Sequence, residues 1–238
     1  RVPYAAMAPK LVVFDFDQTL SIVHVFKLLA GWARGDCCGL PVPGPFSTTQ
    51  VGQLLRVAEL SESVDYKARG GFATVAFGGQ DRIKLLAQMF DELAEQQVQV
   101  MVCTKGFVGP VRKILSDVGL LRYFARIYGV LEGYEETAYD KSVSEASLRN
   151  GMDQFLGEKS AGAWRTKSSL IARLAKEQHL SKEDILFVDD DPDEIRHAGV
   201  VCATLWVADG QGLTASHLAV IREFGGCPLN SRERNYCS

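Results

Sequence analysis

The sequence predicts an α/β fold in which a mainly parallel sheet carries helices on both faces. Apolar runs of strand length recur along the chain, and segments with helical spacing of apolar residues separate them. This alternation is typical of parallel sheets, because a helix has to return the chain to the start of the next strand. The predicted strands occupy residues 11–14, 98–103, 126–130, 185–189 and 202–207. The predicted helices lie near residues 81–96, 108–118, 167–178, 192–198 and 214–224.

The composition is that of an ordinary globular protein. The chain has 238 residues, 47% hydrophobic and 23% charged, which suits one large α/β domain or a core with a small accessory lobe. The net charge of -3 gives no reason to expect nucleic acid or a membrane surface as partner, and no apolar run is long enough for a membrane span. No signal-peptide pattern is present, but the chain begins at Arg1, which leaves open that a leader was removed.

The cysteines and histidines do not form a recognisable site. Cys103 and Cys202 lie inside apolar strand-like runs, and the adjacent Cys37 and Cys38 lack the spacing of metal ligands. The four histidines are isolated in the sequence, which argues against a zinc site or a Ser-His-Asp triad. We expect a reducing compartment, either the cytoplasm or an organelle interior, and no structural disulfide.

The first predicted strand ends at two acids. Asp15-Phe16-Asp17-Gln18-Thr19 follows the apolar run of residues 11–14 directly. Residues i and i+2 of a strand point to the same side, so Asp15 and Asp17 are expected to reach one point beyond the sheet, where open α/β folds bind ligands. Their mutual repulsion has to be offset by a cation, a shared proton or different roles for the two groups.

Residues 21–80 interrupt the alternation. Apolar residues from Ile22 to Leu29 predict a helix that ends near Gly31, and a turn-rich stretch and a second short helical pattern through Leu54 and Leu55 follow. The segment is too long for a tight strand-to-helix connection. We interpret it as a small, mostly helical lid; a structural excursion without a lid function is the alternative. A second irregular stretch, about 131–163, is predicted as a loop or short helix.

Two further segments carry groups that suit a phosphate. The predicted strand at 98–103 leads into Thr104-Lys105-Gly106, where a hydroxyl and free backbone N–H groups can contact a phosphate oxygen. Lys167 stands in the first turn of a predicted helix, where a cation opposes the helix dipole. This position predicts an anionic neighbour for Lys167.

The predicted strand at 185–189 runs into five acids within six residues. Asp191, Asp193 and Glu194 surround Pro192 and suit the first turn of a helix. That explanation does not cover Asp189 and Asp190, which finish a buried strand. A hard divalent cation such as magnesium would explain these two acids, because it prefers carboxylates together with water and phosphate as ligands.

These four motifs, in this order, resemble the haloacid dehalogenase (HAD) superfamily, whose pattern is strand-Asp-x-Asp-x-Thr, strand-Thr/Ser, a helix-borne Lys and a final acid cluster. The resemblance spans residues 11–195. It implies a Rossmann-like doubly wound core of residues 1–20 and 81–225, a small helical cap at 21–80 and a C-terminal tail at 226–238. The acid at Asp17 places the chain with the phosphatase and phosphotransferase branch, and the order of the motifs argues against a phospho-receiver domain.

The resemblance also implies a role for each candidate residue. Asp15 looks like the nucleophile, and Asp17 looks like the general acid and base. Thr104, Lys105 and Lys167 look like phosphate-binding groups. The expected magnesium ligands are Asp15, the backbone carbonyl of Asp17, and Asp190. Supporting residues would be Thr19, Asp189 and Glu194, although Asp189 stands where one form of the family motif has glycine, which leaves open which acid contacts the metal.

We therefore predict a magnesium-dependent phosphatase that works through an aspartyl-phosphate. The alternative is a HAD-fold subunit or scaffold without turnover, since a fold does not determine a function. The substrate is predicted to be a phosphorylated small molecule or a phosphoprotein, and a protein partner could bind through the cap or the tail. His24, Lys27, Trp32 and Lys105 are close enough in sequence to line a pocket, and each suits ordinary core or surface equally well.

Overall fold

The structure is a computed structural model that describes residues 10–33, 35–143, 145–149, 151–158 and 164–229. Its strands are β1 (Leu11–Phe14), β2 (Asp36–Cys37), β3 (Leu40–Pro41), β4 (Gln99–Phe107), β5 (Phe124–Val130), β6 (Ile185–Asp189) and β7 (Ala203–Trp206). Its α-helices are α1 (Val25–Ala30), α2 (Gln50–Glu62), α3 (Val64–Lys67), α4 (Phe72–Ala76), α5 (Gln80–Glu95), α6 (Val108–Asp117), α7 (Ala138–Ser142), α8 (Lys167–Gln178), α9 (Pro192–Ala198) and α10 (Ala215–Gly225).

Five strands form one sheet in the order β5-β4-β1-β6-β7, and every neighbouring pair is parallel. The predicted α/β fold with a parallel sheet is confirmed, and the five predicted strands and five predicted helices are all present. The largest difference concerns β4, which continues beyond residue 103 to Phe107. Because β1 lies in the middle, its carboxyl end is flanked by the ends of β4 and β6.

Alternation along the central strands produces two apolar layers. On β1, Val12 and Phe14 join a large cluster on one face, while Leu11 and Val13 join a smaller cluster on the other. Helices α5, α6 and α10 contribute buried side chains to the large cluster, and α8 and α9 contribute to the small one. The sheet is therefore covered on both faces, which explains why its central strands are continuously apolar.

The segment 21–80, predicted as an insertion, contains α1 to α4 and the antiparallel hairpin β2–β3, which the sequence did not predict. Gly31 ends α1 in the left-handed conformation, as its position in the sequence predicted. Buried side chains of the insertion, such as Leu60 and Phe72, belong to the same large cluster as Phe14 of β1. The insertion and one face of the sheet thus share a continuous hydrophobic core.

The segment at 131–163 contains α7 and two short 3-10 helices, at Glu145–Ser147 and Met152–Phe155. The five described cysteines are free, and Cys237 and most of the predicted tail lie outside the described residues. Within the described ranges, no helix has the length and apolar character needed to cross a membrane.

Candidate active site

Most of the predicted site residues lie together at the carboxyl ends of β1 and of its two neighbours, β4 and β6. Asp15 follows β1 directly and its backbone N–H donates to the carbonyl oxygen of Val188 on β6, at 2.8 Å. Asp189 is the last residue of β6, and Thr104 lies on β4. The side chains of all three are almost completely buried. Parallel pairing therefore assembles the site from strands that are far apart in sequence.

Lys167 joins two of these strands. Its ammonium nitrogen lies 2.6 Å from Asp15 Oδ1 and 2.7 Å from Asp189 Oδ2, and the lysine is only 3% exposed. Helix α8 begins at Lys167 with Thr166 as its N-cap, whose hydroxyl accepts from the backbone N–H of Ser169. The anionic neighbours that the position of Lys167 predicted are Asp15 and Asp189.

The titration behaviour of these groups reflects burial first and neighbouring charge second. Burial raises the pKa of Asp15; Lys167 opposes this effect, while Asp17 and Asp190 add to it. Burial likewise raises the pKa of Asp189, with repulsion from Asp15 as the next cause. Burial lowers the pKa of Lys167, but attraction to Asp15 and Asp189 is stronger and raises it above the ordinary value. Lys167 therefore stays charged. The carboxylates around it together carry more negative charge than its single positive charge neutralises.

The donor set fits a hard divalent cation. Asp15, Asp189 and Asp190 each offer a carboxylate oxygen, and these three oxygens lie within 4.8 Å of one another. One ammonium group faces three carboxylates here, and burial raises the pKa of Asp190 as well. The hydroxyl of Thr19 donates to Asp190 Oδ1 at 3.5 Å, and Trp206 Nε1 donates to the carbonyl oxygen of Asp190 at 2.9 Å. A cation with oxygen ligands would relieve the repulsion.

Asp17 occupies different surroundings from Asp15. Strand β1 ends at Phe14, so Asp17 lies beyond the strand, but the backbone of both Asp15 and Asp17 is extended. Repulsion from Asp17 contributes to the raised pKa of Asp15, as expected of two carboxylates that reach the same region. The backbone turns at Gln18, which has φ 57°, and Phe16 is buried in the core. Asp17 Oδ1 accepts from the backbone N–H of Phe26 at 3.3 Å, and Asp17 Oδ2 lies 3.2 Å from His24 Nδ1.

The Thr104-Lys105-Gly106 segment is part of β4, which corrects the expectation that the strand ends before it. Pairing with β5 is irregular between Cys103 and Phe107, so these three residues form a bulge. The Thr104 hydroxyl accepts from the backbone N–H of Gly106 at 2.9 Å. Gly129 of β5 permits the bulge, because a Cβ there would lie 2.9 Å from the carbonyl oxygen of Gly106.

Lys105 is not part of the buried cluster. Its ammonium nitrogen lies 2.8 Å from Glu194 Oε1 and 3.8 Å from Asp191 Oδ2, and its side chain is 63% exposed. Asp191 is the N-cap of α9 and accepts from the backbone N–H of Asp193 at 2.9 Å. The structure therefore brings Lys105 and Glu194 together at the edge of the site, while Lys167 occupies its centre.

Two residues beside the site were absent from the sequence-based set. Trp206 contacts Asp190 from β7, and Tyr134 follows β5. Neither lies in a motif: the order of strands in the sheet places Trp206, and a hydrogen bond to Thr48 holds the loop that carries Tyr134. An aromatic residue at the end of a predicted strand is the one signal that could have indicated Trp206.

No family model and no curated protein matches the sequence. Similar solved structures include a haloacid dehalogenase-like hydrolase from Streptococcus pneumoniae, at 13% identity and a TM-score of 0.38, covering 89% of this chain and 90% of that one. A predicted phosphoglycolate phosphatase from Haemophilus somnus has 18% identity and a TM-score of 0.44, covering 87% and 88%. The HAD domain of the effector Lem4 from Legionella pneumophila has 11% identity and a TM-score of 0.47, covering 88% and 90%. At such values the likeness carries no argument for an activity.

Proposed function

We propose that the chain is a HAD-type phosphatase that hydrolyses a phosphate monoester through an aspartyl-phosphate on Asp15. One observation supports this most strongly: two buried carboxylates at the end of β1 have different partners. Asp15 pairs with the Lys167 ammonium, whereas Asp17 is held by the backbone N–H of Phe26 and lies beside His24. Covalent catalysis by a carboxylate needs this separation of a nucleophile from a group that handles protons.

In the first step, a carboxylate oxygen of Asp15 forms a bond to phosphorus and the bond from phosphorus to the leaving oxygen breaks. Asp17 gives its proton to that oxygen, so the product leaves as a neutral alcohol. In the second step, Asp17 takes a proton from water, the water oxygen bonds to phosphorus, and the bond to Asp15 breaks. Inorganic phosphate is released and both carboxyl groups return to their starting states.

Lys167 and the bulge of β4 would support both steps. The Lys167 ammonium contacts Asp15 before the reaction and can stabilise charge on the phosphoryl oxygens as they arrive. The Thr104 hydroxyl, buried beside Gly106, can donate to a phosphoryl oxygen while it accepts from the Gly106 N–H. Phosphoryl transfer depends on such positioning and charge stabilisation.

Asp15 and Asp190 would hold magnesium, together with the backbone carbonyl of Asp17 that the family resemblance implies. When bound, the ion supplies positive charge that offsets repulsion between the carboxylates and the phosphate. Asp189 differs from Asp190 in being occupied by Lys167 and by the backbone N–H of Asp191, at 2.7 and 2.9 Å. These contacts favour Asp190 as the ligand and Asp189 as the group that orients Lys167.

The test measures hydrolysis of p-nitrophenyl phosphate with magnesium, after chelation, and with beryllium fluoride, which imitates a phosphoryl group on Asp15. We expect Asp15→Asn to abolish turnover and Asp17→Asn to slow it by about 10²–10⁴-fold, the usual range for a positioned proton donor. Asp65→Asn, at an exposed position on α3, is the control and should match the parent.

A scaffold protein would give a different pattern. It would bind magnesium, hydrolyse the ester at a rate barely above buffer, and show no difference between the parent and Asp17→Asn. Full activity after exhaustive chelation, or retained turnover in Asp15→Asn, would also contradict the proposal.

A further inference from the structure

Four aromatic rings form a connected surface beside Asp17, which we call the aromatic wall: Phe26, Trp32, Phe107 and Tyr134. The ring centroid of Phe26 lies 5.2 Å from those of Trp32 and Phe107 and 5.8 Å from that of Tyr134. The ring centroids of Trp32 and Tyr134 are also 5.2 Å apart, and their planes make an angle of 69°. Three of these four contacts are edge-to-face, a favoured arrangement of aromatic pairs.

The inner end of the wall contacts the proposed catalytic groups. Phe26 donates its backbone N–H to Asp17 Oδ1, and Phe107 follows the Thr104–Gly106 bulge directly. A Cβ on Gly106 would meet Asp17 Oδ2 at 3.5 Å and the Cβ of Phe26 at 3.7 Å. Asp17, the bulge and Phe26 thus lie within one side-chain length of each other.

The outer end of the wall is open to solvent. Phe26 and Phe107 are buried, but Trp32 is 54% exposed and Tyr134 is 49% exposed. Tyr134 also lines a recess of about 1000 Å³ together with Lys105, which lies at the edge of the site. Two half-exposed aromatic rings at the mouth of a polar site are typical of a surface that binds an apolar ligand group.

The backbone N–H of Tyr134 is hydrogen-bonded. The Tyr134 N–H donates to the carbonyl oxygen of Thr48 at 2.9 Å, and the Thr48 N–H donates to the buried carboxylate of Asp140 at 3.0 Å. These hydrogen bonds restrain the backbone at Tyr134, which lowers the entropy cost of presenting its ring to a ligand.

We propose that the aromatic wall binds the leaving group and selects monoesters whose phosphate is attached to an aromatic ring. This inference rests on the proposed function, because Asp17 is the group that would protonate the leaving oxygen and Phe26 of the wall contacts Asp17. An aromatic ring bonded to that oxygen would place its own apolar faces against Trp32 and Tyr134. A small polyol leaving group would leave both rings in water.

The test compares parent and variants on phenyl phosphate, 2-naphthyl phosphate and glycerol 2-phosphate. For each ester, the ratio of kcat/KM between parent and variant removes the intrinsic reactivity of the leaving group. We expect Trp32→Ala and Tyr134→Ala to lower kcat/KM by about 10–100-fold for the two aryl esters and by less than about 3-fold for glycerol 2-phosphate. Trp32→Phe and Tyr134→Phe should restore most of the loss.

Leu85→Ala is the matched control, because Leu85 on α5 is also 54% exposed and does not belong to the wall. It should leave all three ratios near one. If the wall variants lose kcat/KM equally for all three esters, the inference is overturned, while the proposed phosphatase activity still stands.

A binding arm keeps the inference testable without turnover. Calorimetry would compare a phenyl phosphonate with methylphosphonate, and we expect Trp32→Ala to weaken only the former. Equal weakening, or none, would overturn the inference; absence of magnesium-dependent turnover together with selective loss of phenyl phosphonate binding would overturn the proposed function alone. Free phosphotyrosine and a phosphotyrosine peptide then distinguish a small molecule from a protein side chain as the source of the ring.

Discussion

Two lysines show how differently the same residue type is used near this site. Lys167 is 3% exposed and lies between two carboxylates, whereas the side chain of Lys105 is 63% exposed and pairs with Glu194. A buried ammonium group that loses its carboxylate partners is left charged and without solvation. The same holds for a buried carboxylate that loses its ammonium partner. An exposed ion pair contributes at most about 1 kcal/mol.

Lys167→Met should therefore lower the free energy of unfolding by about 3–5 kcal/mol, because Asp15 and Asp189 lose the charge between them. The methionine keeps most of the apolar stem, so the charge is the main change. Urea unfolding of the metal-free protein at pH 8 measures the effect.

The control for that measurement is Lys105→Met, for which we expect a change of about 0–1 kcal/mol. Asp15→Asn gives the opposite sign: burial raises the pKa of Asp15, so its ionised form destabilises the metal-free fold, and the amide should leave stability equal or higher. A destabilisation by Lys167→Met no larger than that by Lys105→Met would show that Asp15 and Asp189 do not need the ammonium group.

At the scale of single residues, much of the candidate site could be predicted from the sequence. Asp15, Asp189 and Lys167 were found because each breaks a local rule: acids at the ends of buried strands, and a cation in the first turn of a helix. Lys105 breaks no rule, and its adjacency to Thr104 in sequence did not determine where its side chain would go. Tyr134 could not be found, because its position depends on the contact between its loop and Thr48, which precedes α2.

At the scale of elements, a buried carboxylate joins α7 to the start of α2. Asp140 accepts hydrogen bonds from the hydroxyls of Ser47, Thr49 and Thr137 at 2.6–2.8 Å and from two backbone N–H groups at 3.0 Å. Burial acts to raise the pKa of Asp140, but these hydrogen bonds are stronger together and lower it from 3.8 to about 2. Thr49, one of the donors, is also the N-cap of α2.

Asp140→Asn should lower the free energy of unfolding by about 1–3 kcal/mol at neutral pH, because the amide cannot accept from donors on both sides. A lowered folded-state pKa means that the contribution is complete above about pH 4 and is lost as the pH falls through about 2. The difference between parent and variant should shrink over that window, as measured by urea unfolding at a series of pH values.

Asp184→Asn is the control, since Asp184 forms a similar capping box with Ser181 at a more exposed position. We expect Asp184→Asn to lower the free energy of unfolding by about 0.5–1.5 kcal/mol. A difference between parent and Asp140→Asn that stays constant down to pH 2 would mean that the charge of Asp140 has no part in its contribution.

The regular elements were largely predictable and the irregular ones were not. Apolar periodicity located the sheet strands and their helices within a few residues, because burial on two faces leaves a clear pattern. The bulge at Thr104–Gly106 depends on the absence of a side chain at Gly129, on a neighbouring strand. The hairpin β2–β3 has two-residue strands, which are too short to leave a periodic signal.

At the scale of the whole molecule, the excess of buried acid at one end of the sheet should link metal binding to folding. A ligand that binds only the folded state stabilises it by about 2.7 kcal/mol at a concentration 100 times its Kd. Magnesium should accordingly raise the Tm of the parent, whereas sodium chloride at matched ionic strength should not.

Asp190→Asn should remove most of that rise, and Asp193→Asn, an exposed acid on α9 that pairs with Arg196, should retain it. A rise of equal size in Asp190→Asn would place the cation elsewhere. The measurement needs no substrate, so it tests the metal site independently of turnover.

The shared core of the insertion and the sheet has a consequence for how such a protein can change over evolutionary time. A cap that folds alone can be exchanged between proteins as a block, and a new preference can arrive in one recombination event. Here Leu60 and Phe72 of the insertion pack into the cluster that contains Phe14. In a protein built this way, new preferences would come by single replacements, each small enough for the common core to tolerate.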